Sequence, residues 1–207
     1  MKKIISVLLV LAALAFLAAC EPIDVNPGKT AKDTEAPQVP LEELTDEKIG
    51  VVIEVKDFGT MKLELYPKLA PLTVRNFLSY VDSGYYEGVT FHRIMKGFMI
   101  QGGAGGNTNE PIKGEFSANG VYNPLSHQYG VISMARTTVM DSATSQFFIC
   151  NADASASLDG KYAAFGKLTE GSDVLDAISS VEVEANERGE MSAPVTPVII
   201  EKIYRAE

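Results

Sequence analysis

Apolar and polar positions alternate with period 2 once the chain passes Gly50. In VVIEVKDFGTMKLELY, Val51, Ile53 and Val55 share one face, and Met61, Leu63 and Leu65 share one face. Asp57-Phe58-Gly59 lies between the two runs, which predicts a β-hairpin. In APLTVRNFLSYVDSG the period changes to 3.6. Val74, Phe77, Leu78 and Val81 recur at helical spacing, Pro71 falls in the first turn, and Gly84 follows the end. Further strands are predicted at about residues 90–94, 97–102, 131–135, 146–150 and 163–168, a second helix near 172–179, and a closing strand from Val198. Many short strands with two helices predict a mostly β fold: a closed antiparallel barrel, which leaves no open edge, capped by two α-helices.

Two connections are long. Residues 103–130 carry Gly105-Gly106, Asn107, Asn109, Pro111, Gly120 and Asn123-Pro124, and residues 136–145 form a shorter polar loop. Loops of such length within a compact domain are usually functional or disordered.

The first twenty residues, MKKIISVLLVLAALAFLAAC, are of another kind. A basic start and a short apolar run from Ile4 to Leu17 have the build of an export signal. LAAC resembles the bacterial lipobox, which implies a signal peptide over residues 1–19 and a lipid on Cys20, anchoring the chain outside the cytoplasm of a bacterial cell. Residues 20–48 contain Pro22, Pro27, Pro37 and Pro40 among acidic and small residues and show no structural period. They are expected to act as a disordered tether spanning about 30 Å. The folded domain is expected over residues 49–207.

Composition narrows the function. A net charge of −9 and the lack of any basic stripe argue against a nucleic-acid binder. With Cys20 lipidated, Cys150 has no partner for a disulfide, and its apolar setting in QFFIC predicts an inert core thiol. Two histidines and no ligand cluster of suitable spacing point away from a metal site.

Strand alternation then sorts the candidate chemistry. In GFMIQGG, Met99 and Gln101 point one way and Phe98 and Ile100 the other. In SQFFIC, Gln146 and Phe148 share a face, with Phe147 and Ile149 directed to the core. In FHRIMKGFMIQGG, ideal alternation puts Phe91 and Arg93 together and His92 opposite. The permanently charged Arg93 needs acceptors, supplied either by this chain or by something it binds.

The segments FHRIMKGFMIQGG, GVISMAR, SQFFIC and LDGKYAAFG resemble, in order, the signature segments of the cyclophilins, the cyclosporin-binding peptidyl-prolyl isomerases. The resemblance runs from about Gly50 to Tyr204 and implies an eight-stranded antiparallel barrel. It implies that Arg93 is catalytic and that His92, Phe98, Met99, Gln101, Ala135, Gln146, Phe148 and Leu158 line the substrate groove. It implies no cofactor and proline-containing segments as partners; the export signal makes these segments of exported proteins, and the lack of an obvious apolar surface helix predicts a monomer. Three positions depart from the best-known members. Arg136 stands where asparagine is common, Ser157 where tryptophan is common, and Tyr162 where a histidine follows DGK. Arg136 and Tyr162 remain groove candidates, Arg136 as a solvated loop charge, while Ser157 implies only weak cyclosporin binding. His127 is expected to be structural. The rival readings are a proline-segment binding module with little turnover and a Ser or Cys hydrolase using a histidine, for which no nucleophile motif is present.

Overall fold

The computed structural model describes residues 48–206. The signal, lipidation and tether expectations, over residues 1–47, lie outside the described residues. Strands β1 (Ile49–Val55), β2 (Gly59–Leu65), β3 (Thr90–Met95), β4 (Met99–Gly102), β5 (Val131–Met134), β6 (Phe147–Cys150), β7 (Ala164–Glu170), β8 (Val183–Ala185), β9 (Met191–Pro194) and β10 (Val198–Arg205) are joined by helices α1 (Pro71–Asp82), α2 (Ser155–Leu158) and α3 (Ser172–Ile178). Eight strands close antiparallel in the order β1-β10-β3-β4-β6-β5-β7-β2, and β8 and β9 form a separate hairpin. The barrel and its two longer helices agree with the expected architecture. The four-residue α2 and the β8–β9 hairpin add to it.

One core fills the barrel and runs under the helices. Val51, Ile53, Met61, Leu63 and Leu65 from the first hairpin share this core with Ile100, Ile132, Phe147, Ile149 and Phe165 from β4, β5, β6 and β7. Helix α1 contributes Val74, Phe77, Leu78 and Val81, the four positions with helical spacing, and α3 contributes Val174, Leu175 and Ile178. Phe77 packs on Phe147 and Phe165 at ring separations of 5.4 and 5.2 Å, tying α1 to two strands. At Gly166 on β7, a Cβ would come within 2.5 Å of the Glu64 carbonyl oxygen, so only glycine lets β2 and β7 approach this closely.

The long connection after β4 is tied down by hydrogen bonds. Asn109 donates its backbone N–H to Tyr80 Oη at 2.8 Å, and Ile112 pairs with Ala143 of the shorter loop. Glu115 is 4% exposed and reaches the start of α1. Its carboxylate accepts from Leu72 N–H at 3.1 Å, Thr73 N–H at 2.7 Å and Thr73 Oγ1 at 2.7 Å. Ala70, at the N-cap of α1, offers no side chain to those amides. A carboxylate 42 residues downstream therefore performs the capping role and meets the positive end of the helix dipole. Glu115→Ala leaves the part-buried Leu72 amide and the buried Thr73 amide without their acceptor and is expected to lower unfolding free energy by about 1–3 kcal/mol, measured by urea denaturation. An unchanged midpoint would show that the cap is dispensable.

Candidate functional site

The wall formed by β3, β4 and β6 has two faces. Ile100, Phe147 and Ile149 point into the barrel, so their neighbours Met99, Gln101 and Phe148 point outward. On β3, Phe91 and Ile94 both belong to the interior core. Two residues separate them where strict alternation permits one. The register explains this: Phe91 pairs with Gly102 and Arg93 with Gln101, so His92 is the extra residue of a β-bulge. The expectation that Phe91 shares a face with Arg93 is therefore corrected, since Phe91 is fully buried against Phe147. His92 and Arg93 both fall outside the core and are half-buried.

Register then aligns the outer face. Arg93 lies opposite Gln101, and Gln101 opposite Phe148; in the adjacent row Met95 lies opposite Met99, and Met99 opposite Cys150. Directly opposed side chains in antiparallel strands sit about 4.5–5.5 Å apart at Cβ, so both rows are contiguous. Met99, Phe148, Cys150, Ala154 and Leu158 form a second apolar cluster, bordered by Met95, Phe98, Ala135 and Tyr162. Phe98 joins this outer cluster despite its parity because it precedes the first residue of β4, within the turn. Cys150 is fully buried, and burial pushes its thiol up to about 12, which makes it a poor nucleophile.

Phe148 is held between two rings. Tyr162 meets it edge-on at 5.8 Å and His127 stacks on it at 6.1 Å. His127 is 1% exposed; its Nδ1 lies 2.7 Å from Asp159 Oδ1 and its Nε2 3.0 Å from Ser133 Oγ. Burial, partly opposed by Asp159, lowers its pKa, so the neutral ring donates Nδ1–H to the carboxylate and accepts the Ser133 hydroxyl proton at Nε2. These distances match a Ser-His-Asp triad, yet Ser133 is fully buried. No substrate carbonyl can reach Ser133, and the three residues serve as a polar support beneath Phe148.

The polar side of the site centres on Arg93. Its Nε donates to Glu190 Oε2 at 2.6 Å and its Nη2 to Glu190 Oε1 at 2.8 Å. Glu190 precedes β9, 97 residues away in sequence, and nothing in the local pattern signals this pairing. The chain itself thus supplies acceptors for one edge of the guanidinium. The other edge is loosely held: Nη1 lies 3.4 Å from Gln101 Oε1 and 3.7 Å from Met99 Sδ. Gln101 Nε2 passes on to Gln146 Oε1 at 3.0 Å. The Arg93 side chain remains 29% exposed. The Arg93 hydrogen bonds hold the Glu190 carboxyl down at about 2, so the pair is ionised throughout the neutral range.

Two rim positions differ in character. Arg136 is bound rather than solvated. Its Nε and Nη2 donate to the Lys161 carbonyl at 3.0 and 2.8 Å, and its guanidinium lies over the rings of Tyr162 and Phe116 at 4.6 and 5.1 Å. Ser157 is exposed on α2, and Leu158 beside it is buried in the apolar cluster. Ala135 reaches the cluster edge, with its N–H donated to the Gln146 carbonyl at 2.9 Å.

Burial lowers the pKa of both His92 and His127 below 6.5. The unfolded chain takes up protons near 6.5 while the folded chain resists them, so the unfolded state binds more protons as pH falls and stability declines through that point. Melting temperature is therefore expected to be lower at about pH 5.5 than at about pH 7.5, and His92→Gln is expected to narrow the gap. Equal melting temperatures in the wild type would show that neither ring is destabilised by protonation.

Comparison with known proteins agrees with this geometry. Residues 50–205 match the family described as "Cyclophilin type peptidyl-prolyl cis-trans isomerase/CLD". Peptidyl-prolyl cis-trans isomerase A of Dickeya dadantii is 42% identical over 69% of this chain and 77% of its own. Peptidyl-prolyl cis-trans isomerase B of Escherichia coli is 39% identical over 72% and 95%. A crystal structure of a Cryptosporidium parvum cyclophilin-type isomerase in the presence of the dipeptide Ala-Pro superposes with a TM-score of 0.65, at 30% identity, covering 76% of this chain and 99% of that one. The chain belongs to the cyclophilin-type peptidyl-prolyl cis-trans isomerases.

Proposed function

We propose that this isomerase accelerates X–Pro rotation in exported proteins from a lipid anchor outside the cytoplasm of a bacterial cell, with Arg93 as its catalytic residue. The observation that carries the Arg93 assignment is the partly exposed guanidinium, whose loosely held Nη1 edge borders the apolar cluster of Met99, Phe148 and Leu158.

Resonance gives the imide bond a rotational barrier of about 18–20 kcal/mol, and uncatalysed exchange takes on the order of tens to hundreds of seconds. Ordinary turnover requires the removal of about 4–7 kcal/mol. No bond breaks, so the reaction needs neither a nucleophile nor a transferred group. As the amide twists, its nitrogen becomes pyramidal and gains a lone pair. Arg93 Nη1 is a permanently charged donor beside the apolar cluster, and it stabilises the twisted form more than either planar one.

Loss of a comparable donor costs about 2.7–4 kcal/mol, so Arg93 supplies part of the effect. The remainder comes from seating the proline ring on Phe98, Met99, Phe148 and Leu158. Gln101, Gln146 and the backbone around Ala135 grip the flanking chain, with His92, Arg136 and Tyr162 at the rim. Phe148 is braced by the His127 and Tyr162 rings before substrate arrives, so little ordering cost remains at binding.

Arg93→Ala is expected to lower isomerisation of a prolyl peptide by at least about tenfold. Arg93→Lys is expected to restore little, because the ammonium keeps the charge but loses the planar fork. Full activity in Arg93→Ala would remove the residue from the mechanism, and failure of the wild type to speed proline-limited refolding would favour a binding module. Cys20→Ala is expected to move the protein from the membrane fraction to the soluble one; persistent membrane association would argue for an uncleaved anchor. Ser157 offers no indole donor, so cyclosporin is expected to inhibit only weakly, and nanomolar inhibition would contradict this account of the rim.

A further inference from the structure

Glu190 is built into the molecule more firmly than a surface ion pair requires. Its backbone N–H donates to Asn186 Oδ1 at 3.1 Å, and its carbonyl accepts Asn186 N–H at 2.8 Å. Asn186 Oδ1 also accepts Arg188 N–H at 2.9 Å, and Gly189 closes the turn at a φ of 78°. Ser192, fully buried on β9, donates its hydroxyl to Glu190 Oε2 at 2.8 Å, and Asn186 Nδ2 lies 3.1 Å from Ser192 Oγ. A chain of hydrogen bonds thus runs from Asn186 through Ser192 and Glu190 to Arg93.

The direction of the grip matters. A guanidinium has five N–H donors in a rigid plane. Glu190 engages Nε and Nη2, the edge away from Gln101, and its two oxygens fix the plane as well as the position. Nη1 is left with a long contact to Gln101 and a thioether, both weak competitors for an incoming acceptor. Nη2 also meets Met95 Sδ at 3.1 Å, so both amino groups border the apolar cluster, and Nη1 is the one that no carboxylate occupies.

We propose that Glu190, presented by the β8–β9 hairpin, is a positioning residue that orients the Arg93 guanidinium so that its Nη1 edge faces the bound imide. The inference rests on the proposed role of Arg93. Glu190 touches no substrate and acts through Arg93 alone. Its oxygens align the fork before binding, and its low pKa keeps that alignment independent of pH across the neutral range.

The test is a double-mutant cycle on the full chain, with Glu190→Ala, Arg93→Ala and the double variant. Equilibrium exchange NMR on a prolyl peptide yields turnover and affinity separately. Glu190→Ala is expected to lower turnover about tenfold to a hundredfold while peptide affinity changes by less than about threefold. In the Arg93→Ala background the same substitution is expected to change turnover by less than about twofold, since coupled residues are non-additive. The Arg93 Nε–H resonance, sheltered in the wild type, is expected to exchange rapidly in Glu190→Ala and in Glu190→Gln.

Turnover in Glu190→Ala equal to or above that of the wild type would overturn the inference and mark Glu190 as a competitor for the guanidinium. A further large loss in the Arg93→Ala background would overturn it too, by showing a role independent of Arg93. An inactive wild type would sink the functional reading itself, whereas an active wild type with an equally active Glu190→Ala sinks this inference alone.

Discussion

The site depends on a single wall of strands having two different faces. Hydrogen bonding along β3, β4 and β6 fixes the spacing of their side chains, and the barrel core takes every residue that points inward. What remains outside is set by register: a row of arginine, glutamine and phenylalanine beside a row of two methionines and a cysteine. The same backbone bonds that close the barrel thereby bring a charged donor and an apolar cluster side by side. A slip of one residue on β4 or β6 would exchange the core and the site.

The bulge at His92 is the one local break in that scheme, and the chemistry hangs on it. Without the extra residue, burying Phe91 would carry Arg93 into the barrel, where a guanidinium has no acceptor and desolvation is costly. With it, the aromatic ring packs inside and the charge emerges outside. Glu190 then constrains the emerging side chain from a hairpin that takes no part in the barrel. On the mechanism proposed for Arg93, preorganisation of this kind would let a single hydrogen bond to a transient lone pair act without first reorganising its donor.

Much of this was legible in the sequence because it is written in short periods. The first hairpin, α1, α3 and the parity of Met99, Gln101, Phe147 and Phe148 follow from residues two or three apart. The misplacement of Phe91 came from assuming strict alternation across a bulge, which composition does not mark. Phe98 escaped the alternation rule because it lies in a turn. Glu115 and Glu190 were invisible for another reason. Each acts on a partner tens of residues away, in segments whose polar composition resembles that of any loop. Helix α2, at four residues, spans barely one turn, too few for a helical period to repeat and show itself.

Closure of the ring has a consequence for how a polypeptide is held. Each of the eight barrel strands has a hydrogen-bonded neighbour on both sides, though β10 and β3 pair over two residues only, so little open edge is left for a visiting segment to extend the sheet. On the proposed reading, its main chain would be gripped at a few points rather than along a continuous ladder. A ladder would clamp the chain on both sides of the imide and oppose the half-turn that isomerisation requires. Sparse attachment of this kind would leave one side of the imide free to swing.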